Sequence, residues 1–203
     1  MERVKHLLKT TAVGRVVLIP YRFRFGLRYL TPKFWQLVRL SFTSREIDNI
    51  TYHLTDLNIQ YLIAFVASIT KRPVPEIRGY VEEIMNDQAL RDHISQQTAA
   101  APERYIADTE ARYGRRIGWY AFVRALKPKV VVETGTNKGL GTCIVAAALL
   151  RNSQEGNAGY LYSTDIDLAA GYLFQKPYAD YGKILYGDSI DSLNKLNANI
   201  DLF

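Results

Sequence analysis

One stretch constrains this chain more than any other, Val130–Thr142, which reads VVVETGTNKGLGT. The apolar run Val130-Val131-Val132 leads into Glu133-Thr134, and three glycines follow, Gly135, Gly139 and Gly141. Thr142 to Leu150 then reads as helix. Strand, glycine loop and helix together present backbone N–H groups and a helix N-terminus to a ligand. Glycine is required where the loop turns sharply and where a ligand approaches the main chain, because a Cβ would clash there.

From Lys127-Pro128-Lys129 onward, strands and helices alternate. The pattern predicts strand over Val130–Thr134, helix over Leu140–Asn152 and strand over Tyr160–Thr164, ending at Asp165. It then predicts helix over Leu168–Phe174, strand over Lys183–Tyr186, ending at Gly187-Asp188-Ser189, and helix over Ile190–Leu196. Asn199–Phe203 reads as the start of a fourth strand. Such alternation implies an α/β fold with a parallel, doubly wound sheet, whose ligands bind at the carboxyl ends of the strands. A sheet stopping at Phe203 would leave a raw apolar edge, so the expectation is a fragment, truncated after the start of strand four.

Residues 1–43 read as a basic, aromatic segment, 44–126 as a helical cap or dimerisation layer, and 127–203 as the ligand-binding α/β domain. The net charge of +6 is unevenly placed: residues 1–45 hold ten Lys/Arg against Glu2 alone, which makes +9 there and −3 in the remainder. Three readings fit that segment: an extension packed on the domain or on a second subunit, a peripheral membrane contact, and a nucleic-acid contact. The first is preferred. The last is set aside because no recognition motif accompanies the charge, so no nucleic acid is expected. No apolar stretch is long enough to span a bilayer. In the helical block, Ser44–Thr70 reads as one helix, with Ile47, Ile50, Leu54, Leu57 and Tyr61 on one face and Tyr61–Ile69 buried on nearly all sides. Pro75 opens a second helix with Ile77, Val81 and Ile84 aligned, and Asp87 caps a third through Leu90 and Ile94. A longer helix is expected through Tyr105, Tyr113 and Trp119 to Leu126, with Gly114 and Gly118 as points of interruption. Tyr113, Trp119 and Tyr120 read as core aromatics, with closure over a ligand as the alternative. The single cysteine, Cys143, reads as a small buried helix residue, and His6, His53 and His93 share no ligand spacing, so no metal site is expected.

The segment Lys127–Thr142 resembles the first motif of class I S-adenosylmethionine-dependent methyltransferases: an apolar strand, an acidic residue, then Gly-x-x-x-Gly-x-Gly. Tyr162-Ser163-Thr164-Asp165-Ile166-Asp167 is similar to the family's second motif, Gly187-Asp188-Ser189 to its third, and Ile200–Phe203 to the entrance of its fourth. The resemblance covers residues 127–203 and implies a Rossmann-like parallel sheet with S-adenosylmethionine as cofactor. It implies that the loop with Gly135, Thr136, Gly139, Gly141 and Thr142 lies against the cofactor and that Glu133 holds its amino-acid end. Asp165 would accept from both ribose hydroxyls, with Asp167 as its rival, and Asp188 with Ser189 would meet the adenine. On their own chemistry, Asp188 and Asp167 also suit helix caps, whereas Glu133, at a strand end beside a glycine loop, needs a partner for a desolvated carboxylate. The implied reaction is methyl transfer to a small-molecule or sugar acceptor, through oxygen, in the cytoplasm with optional membrane association. No catalytic residue is assigned, and a homodimer stays open. An NAD(P)-dependent short-chain dehydrogenase is the competitor, since Thr134-Gly135-x-x-x-Gly139-x-Gly141 fits its loop as well. Against it stands Glu133 at the mouth of a site meant for a pyrophosphate. A scaffold without activity is the third reading.

Overall fold

The computed structural model describes residues 10–45, 54–108, 110–196 and 198–203. The chain forms two compact units, Met1–Arg45 and Glu46–Phe203. In the first, α1 (Ala12–Val17) is capped by Thr11, whose side chain accepts from the Gly14 N–H, and α2 (Ile19–Thr43) runs for 25 residues. Pro20 sits in the first turn of α2, where a missing N–H leaves no hydrogen bond unmade. The sequence reading assigns no secondary structure to this segment. The repeat is nonetheless helical: Ile19, Phe23, Leu27, Leu30, Phe34 and Leu37 follow steps of three and four.

Among the described residues, the first helix of the second unit is α3 (Asp56–Thr70). Its start differs from the expected Ser44; Ile47, Ile50 and His53 of that expectation lie outside the described residues, as does His6. The start signal the sequence pattern missed is a capping box: Thr55 accepts from the Asn58 N–H at 3.2 Å, and the Asn58 side chain accepts from the Thr55 N–H at 3.2 Å. The all-round burial expected for Tyr61–Ile69 is also wrong. Ile63, Val66 and Ala67 are buried, while Leu57, Tyr61, Phe65 and Ile69, four residues apart, form an exposed face. Helix α4 (Val74–Met85) carries Pro75 in its first turn and buries Ile77, Val81 and Ile84, as expected. Helix α5 (Gln88–Ala100) is capped by Asp87, which accepts from the Leu90 N–H at 2.9 Å. The long helix expected through Tyr105 does not form. A short 3₁₀ turn, Arg104–Ile106, and irregular chain precede α6 (Arg116–Leu126), because Gly114 adopts φ +54° and breaks the run, whereas Gly118 stays within the helix.

The sheet has three parallel strands, β1 (Val130–Thr134), β2 (Tyr160–Asp165) and β3 (Gly182–Tyr186), in the order β3-β2-β1. Val130 pairs with Tyr160, Thr134 with Thr164, and Asp165 with Tyr186. Leu202 makes a parallel bridge to Val131, and the Val132 N–H donates to Leu202 O at 2.9 Å. A strand has two edges, so this contact lies on the side of β1 away from β2. The chain therefore crosses from β3 back over β1, and β1 becomes the point at which strand order reverses. Helix α7 (Leu140–Gln154) joins β1 to β2, and α8 (Ser189–Asn194) follows β3.

The helix expected over Leu168–Phe174 is absent. Gly171 holds φ +85°, and its N–H donates to Asn137 O at 2.6 Å, while the Leu173 N–H donates to Lys138 O at 3.1 Å. The segment is thereby strapped along the glycine loop instead of coiling on itself. The strap is tied from beneath as well: Leu173 O accepts from the Cys143 thiol at 3.1 Å and lies 2.8 Å from His93 Nε2. Burial pushes the Cys143 thiol well above its ordinary range, so the residue is a core group, as read from the sequence.

One apolar core runs through the second unit, from Ile63, Ile77 and Leu90 of the helices to Ile144, Leu149 and Leu161 of the α/β part. Its polar rivet is Arg124, 2% exposed, which donates to Glu83 at 2.8 Å and to Glu155 at 2.6 Å. The same guanidinium donates to Asn152 and lies 4.8 Å from the centre of the Tyr80 ring. A buried cation with this many partners is costly to remove, because its partners stay behind unpaired. Arg124→Ala is expected to destabilise the second unit by about 3–5 kcal/mol in urea denaturation. A loss below about 1 kcal/mol would place the network among surface pairs. The Arg124 hydrogen bonds hold the Glu155 carboxyl down to about 2. A depressed carboxyl stabilises above the ordinary carboxylate range and stops doing so as pH falls through it, a loss that Glu155→Gln should lack.

Candidate functional site

The glycine loop is pinned to the end of the neighbouring strand. The N–H groups of Gly135 and Thr136 both donate to Thr164 O, at 2.9 and 3.2 Å, and the Gly139 N–H closes the turn on Thr136 O at 2.8 Å. Gly139 holds φ +91°, and a Cβ there would lie 3.1 Å from Gly171 Cα, so only glycine lets the strap lie across the loop. As the N-cap of α7 it offers no side chain to the first turn, whose N–H groups remain uncapped from that side.

Below the loop, Glu133 is the centre of a hydrogen-bonded group. Thr142 Oγ1 donates to Glu133 Oε2 at 2.6 Å, and Ser163 Oγ donates to the same oxygen at 2.8 Å. Ser163 Oγ also lies 2.6 Å from Thr136 Oγ1. Thr136 and Thr142 are buried; the Thr142 hydroxyl holds the acid directly, and the Thr136 hydroxyl reaches it through Ser163. Burial pushes the Glu133 carboxyl above its ordinary range, against the pull of the Thr142 and Ser163 hydrogen bonds and the Arg116 charge. Gly141 makes this possible: a Cβ there would come within 2.4 Å of Glu133 Oε1 and 2.7 Å of the Trp119 ring.

Asp165 ends β2 on the same face as Ser163 and Glu133, by the two-residue alternation of a strand and the register of the pair. Its carboxylate accepts the Asn137 N–H at 2.7 Å and the Asp167 N–H at 2.9 Å, and these bonds hold its pKa below the usual value. Each oxygen keeps a further lone pair for another donor. Asp167 is exposed and accepts only locally, from the Ala169 N–H at 2.9 Å. Asp188, also exposed, caps α8 by accepting from the N–H groups of Ile190 and Asp191, at 2.9 and 3.2 Å. Ser189 Oγ lies 2.9 Å from Thr164 Oγ1, which ties α8 to β2. Among the residues singled out from sequence, the structure thus joins Glu133, Thr136, Gly141 and Thr142 into one group. Asp165 stands beside that group, and Asp188 and Ser189 stand one strand further on.

Two residues escaped the sequence reading. Ser163 holds Glu133, and its only signal in the sequence was a serine two positions before Asp165. Asn137 adopts φ +50° and gives its N–H to Asp165, a role common for asparagine in left-handed turns. Tyr113 and Tyr120 are core residues, 5% and 0% exposed. Trp119 instead lines a cleft of about 450 Å³, with Phe122, Val132, Glu133, Thr134 and Leu202 among its walls. Among the described residues, no cluster of His, Cys, Asp and Glu is arranged to hold a metal ion. Two loop substitutions separate close approach from backbone strain. Gly141→Ala should destabilise by about 1–3 kcal/mol through overpacking and shift Trp119 fluorescence. Gly135→Ala meets nothing within 4 Å and carries only the strain of φ +82°, about 1–2 kcal/mol, with Trp119 emission unchanged.

Residues 132–203 match the family model described as a methyltransferase domain. No curated protein and no solved structure gives a significant match to the chain. Taken with the ordered motifs and the strand order that reverses at β1, that match supports a class I S-adenosylmethionine-dependent methyltransferase segment at residues 132–203.

Proposed function

We propose that the second unit binds S-adenosylmethionine over the Gly135–Gly141 loop and transfers its methyl group to the oxygen of a small-molecule or sugar acceptor. The observation that carries this reading is the sign of the site. Carboxylates stand at or just past the ends of three consecutive strands, Glu133, Asp165 and Asp188, around a glycine loop and an uncapped helix start. A pyrophosphate would meet these carboxylates as like charges, whereas a ligand with an ammonium, a sulfonium and a diol meets complementary groups. The residues fit that ligand. Glu133 takes the ammonium, and the raised pKa caused by its burial falls back once a cation is beside it. Asp165 takes the ribose hydroxyls with the lone pairs its loop bonds leave over. Ser189 and Asp188 take the adenine end. Thr136, Thr142 and Ser163 hold Glu133 in place.

The bound cofactor supplies an activated methyl group. The protein contributes orientation and the exclusion of water. The apolar and aromatic walls of the cleft beside Glu133 and Thr134, Trp119 and Phe122 in particular, suit a small acceptor that buries its body and presents one hydroxyl. No base is assigned.

Titration of S-adenosylhomocysteine and NADPH in parallel tests the reading. Binding of the first alone supports it; binding of NADPH alone overturns it in favour of a dehydrogenase; binding of neither by the folded protein makes the chain a scaffold. Asp165→Ala should weaken S-adenosylhomocysteine by about ten- to a hundredfold, from lost charge-assisted hydrogen bonds. Asp167→Ala should change it by less than about threefold. Equal or reversed effects would move the ribose contact to Asp167. Glu133 adds a pH signature. Its pKa is raised in the free protein and lowered by a bound ammonium, so binding releases protons and affinity falls as pH drops into the weakly acidic range. Glu133→Gln should bind about tenfold or more weakly and show no such slope. A slope that survives in the variant would exclude Glu133 as the ammonium partner.

A further inference from the structure

Helix α2 exposes an apolar stripe that its own unit does not cover. At 100° per residue, Ile19, Phe23, Leu27, Leu30, Phe34 and Leu37 share one face, and their exposures run from 45% to 66%. Arg22 and Lys33 border one side of the stripe and Arg24 the other, while Arg28 and Arg39 lie opposite. Tyr29 lies on the Arg22 and Lys33 border, where its hydroxyl accepts from Lys33 Nζ at 2.6 Å. Trp35 falls near the far border. No Asp or Glu occurs between residues 3 and 45.

This arrangement selects a partner by what each surface can take up. A nucleic acid meets the arginines but offers no apolar surface for six large side chains. A second copy covers the stripe but sets arginines against arginines. An anionic bilayer accepts both, the stripe among the acyl chains and the cations among lipid phosphates, with Tyr and Trp at the boundary. Insertion across the bilayer is a different matter: no helix among the described residues is long and apolar enough to cross a membrane. We propose that α2 lies in the plane of an anionic phospholipid surface, with the Ile19-Phe23-Leu27-Leu30-Phe34-Leu37 face buried and the flanking Arg22, Arg24 and Lys33 on the headgroups. This does not rest on the methyl-transfer reading.

The test is flotation of the full chain with vesicles of phosphatidylcholine, alone or with one quarter phosphatidylserine. The expected result is binding to the anionic vesicles that weakens as salt is raised, with little binding to the neutral ones. The double variant Phe23→Ser, Phe34→Ser should lower partition at least about tenfold, because two large side chains no longer transfer from water. Arg22→Gln with Arg24→Gln should lower it on anionic vesicles by about tenfold. Both variants should keep the thermal transition of the parent chain, which shows that the second unit is intact. No partition onto anionic vesicles overturns the proposal, as does partition that the Phe23, Phe34 variant leaves unchanged. A dimer in ultracentrifugation that this variant dissociates, without vesicle binding, assigns the face to a second copy. Binding of single-stranded RNA without vesicle binding assigns it to nucleic acid. A lowered thermal transition in the stripe variant assigns it to packing within the chain.

Discussion

A carboxylate held under a loop organises the second unit. Glu133 accepts from Thr142 on α7 and Ser163 on β2, so one side chain on β1 fastens three elements at the level where the strands end. The arrangement works only because Gly141 leaves room for the acid and for Trp119 together. Burial dominates at this acid, since two hydroxyl donors and the Arg116 charge do not bring its pKa back to the ordinary range.

The second fastening is mechanical. The Gly135 and Thr136 N–H groups grip Thr164 O, Asn137 N–H grips Asp165, and the strap at Gly171–Leu173 grips Asn137 and Lys138 from the other side. Loop residues that would be mobile as a bare glycine turn are therefore held from β2, from the strap and from α7. The strap in turn rests on Cys143 and His93. Their polar atoms are engaged by one carbonyl, Leu173 O.

How much of this was legible in the sequence follows from the range of each interaction. The three strands and α7 were legible because strand, glycine loop and helix are written in contiguous residues. The caps at Asp87 and Asp188 were legible for the same reason, since capping is a contact over two or three residues. Glu133 was singled out as a desolvated acid, but its donors were not identified as donors: Ser163 lies thirty residues away and becomes a neighbour only through strand register. The helix wrongly expected at Leu168–Phe174 failed for a like reason. Its residues favour helix locally, but their backbone donors find acceptors on Asn137 and Lys138, and tertiary hydrogen bonds prevail over weak propensity. At α3 the apolar run was read correctly as helix and wrongly as all-round core. Periodicity shows that a face is apolar, and only packing shows which faces have partners.

Charge divides the chain along the same line as its two units. The first 45 residues carry +9 and the remainder −3, with carboxylates gathered at the strand ends. A surface that attracts the first unit repels the second, and the effect reaches about a Debye length, roughly 10 Å at moderate salt. The two charge distributions act on opposite signs: the first unit attracts an anionic surface, and the carboxylates at the strand ends of the second attract a cation in solution.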